Sequence, residues 1–243
     1  MISVHNLSKV FRIPHAKTAT LYHNLLSIIG GSYTYEEFFA LQKVTFSVAQ
    51  GEFVGIIGRN GSGKSTLLKI LSRIYQPTSG TFSIGSEVYP LLELGIGFQP
   101  DFTVRDNLFI YGSFLGFTRK EMNEKLGGIL EFGDLQRFAD ARLDTLSSGM
   151  KVRLAFSIAM QAHADVYLVD EVLAVGDTIF QQKCRQVFWQ YKEAGKTVVF
   201  VSHDMAAVNE YCDRVFVMDE GSMKFSGLPS DAISYYKKNV LQL

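Results

Sequence analysis

The nine residues Gly58-Arg59-Asn60-Gly61-Ser62-Gly63-Lys64-Ser65-Thr66 restrict this chain more than any other segment. They match G-x-x-x-x-G-K-[ST] and lie between an apolar run at 52–57 and an apolar helical stretch from Leu67 to about Ile74. That is the strand–turn–helix setting in which the pattern carries chemistry. Its glycines let backbone N–H groups turn inward around phosphate oxygens, and the helix that follows aims its positive dipole end at the same point. Lys64 is placed to neutralise the β- and γ-phosphates, and the Ser65 hydroxyl to ligate Mg²⁺. A glycine-rich turn with an exposed lysine would need neither flanking element.

The rest of the sequence supplies the alternation that such a loop requires. Strands are expected at 3–11, 44–48, 52–57, 166–170, 197–201 and 214–219, with short strands from the turn at 76–80 to about Phe98. Helices are expected at 149–162, 178–194 and 204–212, and from Pro229 onward. Between Val104 and about Ala139 the periodicity is helical throughout, with Thr118 and Glu121 spaced as a capping box. Strands alternating with helices give a parallel sheet covered on both faces, and the all-helical stretch that interrupts them reads as a helical subdomain. Residues 12–40 show no sheet pattern; Leu21, Leu25 and Ile28 mark one short amphipathic helix ending near Gly30-Gly31.

Composition narrows the function classes. Lys+Arg 24 against Asp+Glu 24 leaves no basic excess of the kind that grips nucleic acid. No apolar run approaches the roughly 18–20 residues that span a bilayer, and the N-terminus lacks the marks of a signal peptide. Cys184 and Cys212 lie far apart, outside metal-ligand spacing, and read as reduced thiols.

Three further segments can reach the same crevice. Val166–Asp170 is an apolar strand ending in Asp170-Glu171: Asp170 is a Mg²⁺ ligand candidate, and Glu171 a candidate to polarise the water attacking the γ-phosphate. Leu146-Ser147-Ser148-Gly149-Met150 opens an amphipathic helix, so Ser147 can cap it while adjacent N–H groups face an anion; taken alone, a plain N-cap is the better reading of these residues. Val201-Ser202-His203-Asp204 ends another strand with a histidine at the crevice edge, where it can hydrogen-bond the γ-phosphate or serve only as a structural histidine.

The order of these motifs resembles the nucleotide-binding subunits of ABC transporters, and the resemblance covers nearly the whole chain. It implies an α/β P-loop NTPase fold: a mostly parallel central sheet with an antiparallel β subdomain, plus a helical subdomain. The expected division is a single domain over 1–243. Its RecA-like core and β subdomain fall at 1–100 and 163–243, the helical subdomain at about 101–162, and an extra N-terminal segment at about 12–40. The resemblance implies an ATPase using ATP and Mg²⁺ whose two copies pair head to tail, each nucleotide lying between one copy's phosphate loop and Ser147 and Gly149 of the other. By the same resemblance Gln99 is the glutamine that touches Mg²⁺ and senses a membrane permease, Asp177 lies at the dimer seam, and Phe11 stacks on adenine, with Tyr22 or a neighbour in the 12–40 segment as alternatives.

The departures narrow the family. The usual L-S-G-G-Q stands here as L-S-S-G-M at 146–150, Val172 replaces the proline usual after the Asp-Glu pair, and the segment at 12–40 is long. Together with Leu91–Phe98 and Asp170–Asp177, they resemble the branch that exports bacterial surface polysaccharides such as O-antigen, teichoic acid and galactan. The implied partners are an integral membrane permease, a second copy of the chain and a lipid-linked glycan, with no nucleic acid. The implied place is the cytoplasmic side of the cell membrane, as a peripheral protein. A drug or small-solute exporter is the alternative, with a soluble ATPase of the same type acting on nucleic acid behind it. The aromatics Phe102, Phe109, Tyr111, Phe114 and Phe117 either pack the helical subdomain or line a groove for the permease. The Tyr- and Phe-rich segment at 12–40 either lies at the membrane surface or packs on its own domain.

Overall fold

All six residues of the strand Phe53–Gly58 are buried, with Phe53 and Ile57 in one hydrophobic cluster and Val54 and Ile56 in another. Burial on both faces is what the uninterrupted apolar run demanded, and it marks a central parallel strand. The computed structural model describes residues 1–14, 35–92, 94–170 and 176–242. In chain order the elements are β1 (Ile2–Pro14), β2 (Tyr35–Val48), β3 (Phe53–Gly58), α1 (Lys64–Leu71), β4 (Ser79–Ile84) and β5 (Val88–Leu91). There follow α2 (Val104–Phe114), α3 (Arg119–Phe132), α4 (Ser148–Ala159), β6 (Val166–Asp170), α5 (Thr178–Glu193) and β7 (Thr197–Val201). The chain closes with α6 (Met205–Tyr211), β8 (Arg214–Asp219), β9 (Ser222–Gly227) and α7 (Pro229–Tyr235), which runs into a π-helical turn at Tyr236–Leu241.

The main sheet has the order β5-β6-β7-β3-β8-β9, parallel throughout except for β9, which pairs antiparallel with β8. Along β6, β7 and β8 alternate residues enter opposite cores. Tyr167, Phe200 and Val217 point to the cluster under α4, α5 and α6, while Leu168, Val201 and Phe216 point to the cluster under α1. Burying each such side chain stabilises the fold by roughly 1.5–3 kcal/mol. A separate antiparallel sheet, β2-β1-β4, closes the second cluster. Helices α2 to α4 enclose a third, built on Leu108, Ile129 and Leu154. This is the arrangement the resemblance implied.

Four local expectations need correction. Residues 12–14 and 35–40, read as lacking a sheet pattern, are strand: β1 and β2 pair from Ile2↔Val48 out to Pro14↔Tyr35. The first five residues of β2 are exposed, so no buried face imposes an alternation that a sequence could display. The short helix expected around Leu21–Ile28 falls outside the described residues. Strands do not continue to Phe98 but stop at Leu91, because Gly95 and Gly97 take left-handed backbone at φ 81° and 90°. The helix after the phosphate loop starts at Lys64 and ends at Leu71, shifted toward the loop that nucleates it. The long helical stretch is broken at Gly116, φ 80°, into α2 and α3, each opened by a capping box, Thr103 with Asp106 and Thr118 with Glu121.

Candidate nucleotide-binding site

The sheet order sets β3 between β7 and β8, with β6 beyond β7, so the carboxyl ends of β3, β7 and β6 lie side by side. Asp170 pairs in register with Val201, and Val201 with Ile56. The phosphate loop after β3, Asp170 at the end of β6 and His203 just past β7 therefore share one edge. Ligands bind parallel sheets at that edge, where the chain order reverses.

The loop is held tightly from behind. A Cβ on Gly58 would lie 2.2 Å from the Met218 carbonyl oxygen; one on Gly63, at φ 100°, would lie 2.5 Å from that of Ala40. Only glycine fits either position. Lys64 is buried, and its ammonium donates to the carbonyls of Gly58 and Arg59, both at 2.9 Å. No side chain of the N-cap residue, Gly63, caps the N-terminus of α1. The Ser62 hydroxyl is buried with no hydrogen-bond partner. A cavity of about 330 Å³ opens in front, lined by Phe38, Ala40, Asn60, Gly61, Gly63, Lys64, Ser65 and Thr66.

Not every residue singled out in the sequence reaches this cavity. Phe11 is not in its wall. It packs edge-on against Tyr75 at 5.6 Å with the Lys9 ammonium over its ring, and among the described residues the aromatic that lines the cavity is its cross-strand partner Phe38. Ser147 and Gly149 are exposed and line no part of it; Ser147 accepts a hydrogen bond from the Met150 N–H, so it caps α4 as expected. Asp177 caps α5 by accepting from the Phe180 N–H at 2.9 Å and pairs with Arg153. The cap first, and then Arg153, hold its carboxyl below the usual carboxylate range. Glu171 and Tyr22 lie outside the described residues.

Two residues that the sequence did not single out brace the site. Asn107, fully buried on α2, accepts from the Gln99 N–H at 2.6 Å and donates to the Gln99 carbonyl at 3.0 Å, clamping the segment that presents the glutamine. Gly221, in the β8–β9 turn, donates to the Ser62 carbonyl at 3.1 Å and accepts from the Gln42 N–H at 2.8 Å, tying the phosphate loop to β2. An isolated asparagine in an amphipathic helix and a Glu-Gly turn carry no sequence signal of such roles.

A second depression, of about 650 Å³, runs along α2 and α3 and is lined by Phe102, Arg105, Phe109, Phe117 and Met122, among others. The five aromatics singled out in this stretch of the sequence divide. Phe109, Tyr111 and Phe117 pack partly against the core of the helical layer, whereas Phe102 and Phe114 are 50% and 71% exposed. Among the described residues no helix is long and apolar enough to cross a membrane, and no cluster of His, Cys, Asp or Glu could hold a metal on its own.

Sheet order, phosphate loop and helical layer together define a P-loop ATPase cassette. Residues 41–174 match the family described as ABC transporter. O-antigen export system ATP-binding proteins RfbB are 42% identical over 201 residues in Myxococcus xanthus and 41% over 202 in Klebsiella pneumoniae, each across 83% of this chain. The match spans 46% of the Myxococcus protein and 82% of the Klebsiella one. The teichoic acids export ATP-binding protein TagH of Lactococcus lactis is 37% identical over 98% of this chain and 51% of its own length. A dimeric ATP-binding cassette solved in a post-hydrolysis state with ADP and Pi superposes at TM-score 0.74, with 22% identity over 94% of this chain and 99% of that one. The chain belongs to the ABC transporter family, as one of its ATP-hydrolysing cassettes.

Proposed function

We propose that this cassette powers the export of a lipid-linked surface polysaccharide through a separate integral membrane permease, from the cytoplasmic face of the cell membrane. The observation that carries the reading is the likeness, at about 40% identity over most of the chain, to ATP-binding proteins of O-antigen export. Relatives of teichoic acid export match as well, so the shared property is the class of cargo, a surface glycan polymer, rather than one sugar.

The site residues take roles that fit this chemistry. Phosphate oxygens displace the Gly58 and Arg59 carbonyls as partners of Lys64, and the N-terminal end of α1 faces the same charge. Ser65, Gln99 and Asp170 would hold Mg²⁺, a hard cation suited to hydroxyl, amide and carboxylate oxygens, which would neutralise charge on the phosphates. Ser65 stands in the cavity wall, in keeping with that part. Glu171 polarises the attacking water and His203 hydrogen-bonds the γ-phosphate. Phe38, rather than Phe11, presents the aromatic face to the base. Ser147 and Gly149 of a second, head-to-tail copy complete the phosphate contacts. The permease docks along the depression beside Phe102 and Phe109.

The test is ATP turnover by the purified chain, alone and reconstituted with its co-encoded permease in lipid. Activity should depend on Mg²⁺ and respond to the permease. Glu171→Gln should keep nucleotide binding and lower turnover by roughly 10²–10⁴-fold. Turnover indifferent to any permease would overturn the transport role, and near-normal turnover in Glu171→Gln would remove that residue from it.

A further inference from the structure

Arg153 is 20% exposed, and its guanidinium lies over the Phe180 ring at 5.5 Å. One arm of its fork pairs with Asp177 and the other approaches Asp134 at 3.7 Å. Asp134 in turn takes the Lys183 ammonium at 3.1 and 3.2 Å, and the same ammonium donates to the Phe132 carbonyl at 2.9 Å. Beneath this network Phe132, Phe156 and Phe180 form an aromatic triangle with centroids 5.6–6.2 Å apart. The network thus joins the end of α3, the body of α4 and the start of α5. Arg153 stands on the helix that Ser147 caps, while Asp177 ends the short segment that begins, in sequence, at Glu171.

We propose that Arg153 is a positioning residue for ATP hydrolysis. It fastens the Asp177 carboxylate to the helix behind Ser147 and Gly149, so that a displacement of α4 is passed to the segment carrying Glu171. The physical ground is the geometry of the fork. A guanidinium seated on an aromatic ring with a carboxylate on each arm has little freedom left, unlike a lysine ammonium at the same place. Ion pairs this close to the surface add little to folding stability. The pair's effect is therefore expected in placement rather than in the stability of the fold. Misplacing a reacting group by about 1 Å can cost on the order of 100-fold in rate.

The inference rests on the ATPase reading, and the test separates the two. In the full-length chain, Arg153→Ala should lower kcat about tenfold while nucleotide Kd stays within about twofold, and Arg153→Lys should recover only part of the loss. Asp177→Asn keeps an N-cap side chain but loses the charge, and should likewise lower kcat. Combined with Arg153→Ala it should add nothing further, because both changes remove one pair. A second readout does not depend on activity. Amide exchange in the peptide over 176–181 should accelerate in Arg153→Ala, with the rest of α4 and α5 unchanged. Unchanged exchange there overturns the inference whatever the enzyme's rate. So would unaltered kcat in an active protein, additive losses in the double variant, or a weakening of Kd that parallels kcat. Failure of wild-type hydrolysis with normal exchange results would strike the ATPase reading alone.

Discussion

The two helix N-termini to which the proposed function gives phosphate contacts are built oppositely. The one at α1 is enclosed: Lys64 is buried, Gly63 is pressed against Ala40 and Leu41, and Gly221 ties the loop to the neighbouring sheet. The one at α4 is open: Ser147, Ser148 and Gly149 are exposed, and a Cβ on Gly149 would meet nothing within 4 Å. An enclosed loop is shaped before any ligand arrives. An open one is half a surface, and its glycine answers no constraint inside its own chain. The contrast teaches that a glycine required by the fold and one that the fold leaves unconstrained look alike in sequence and separate only when their surroundings are seen.

The sharpest way to break the comparison is Lys64→Ala, which should cut turnover by about 10²–10³-fold and abolish the nucleotide titration. Retained binding would mean that the enclosed loop is not the phosphate site. Next come paired substitutions of the two glycines. Gly63→Ala, at φ 100° with a carbonyl in the way, should cost about 1–3 kcal/mol of stability, read by denaturant unfolding. Gly149→Ala should leave stability unchanged or slightly raised, as for any glycine replaced inside a helix, and still lower turnover at least tenfold. Normal turnover in that variant would remove the open terminus from the reaction. Ser147→Ala should cost only about 1 kcal/mol through the lost cap, unless the second copy also uses its hydroxyl, in which case turnover falls further than stability explains. Smallest of all is the expected behaviour of the thiols. Burial pushes Cys184 and Cys212 up to about 12, so reagents at about pH 8 should label neither until the chain is unfolded.

What could be read in advance follows the same division. The strands β3, β6 and β7 declared themselves because both their faces are buried, and an apolar run between turn residues has few other fates. The phosphate loop declared itself because its glycines, lysine and flanking elements form one contiguous pattern, even though the carbonyls that demand glycine at 58 and 63 belong to Met218 and Ala40. The outer half of β2 did not, since Tyr35 to Phe39 are exposed and only pairing with β1 makes them strand. The same holds at the cavity wall, where the structure sets not Phe11 but its cross-strand partner Phe38, a residue of that exposed half. Gly221 and Arg153 act through residues tens of positions or more away along the chain, and Asn107 through Gln99, eight positions back in a separate segment, pairings that no local pattern encodes.

The clamp between Asn107 and Gln99 has a kinematic consequence. Gln99 is bonded through both its backbone N–H and its carbonyl to a helix of the helical layer, while toward β5 the chain passes through two left-handed glycines, Gly95 and Gly97. If that layer turns against the sheet, the bend falls at the glycines and the glutamine rides with α2. Gln99 would then move as one body with the helices, like a pointer fixed to the moving part of an instrument rather than to its dial.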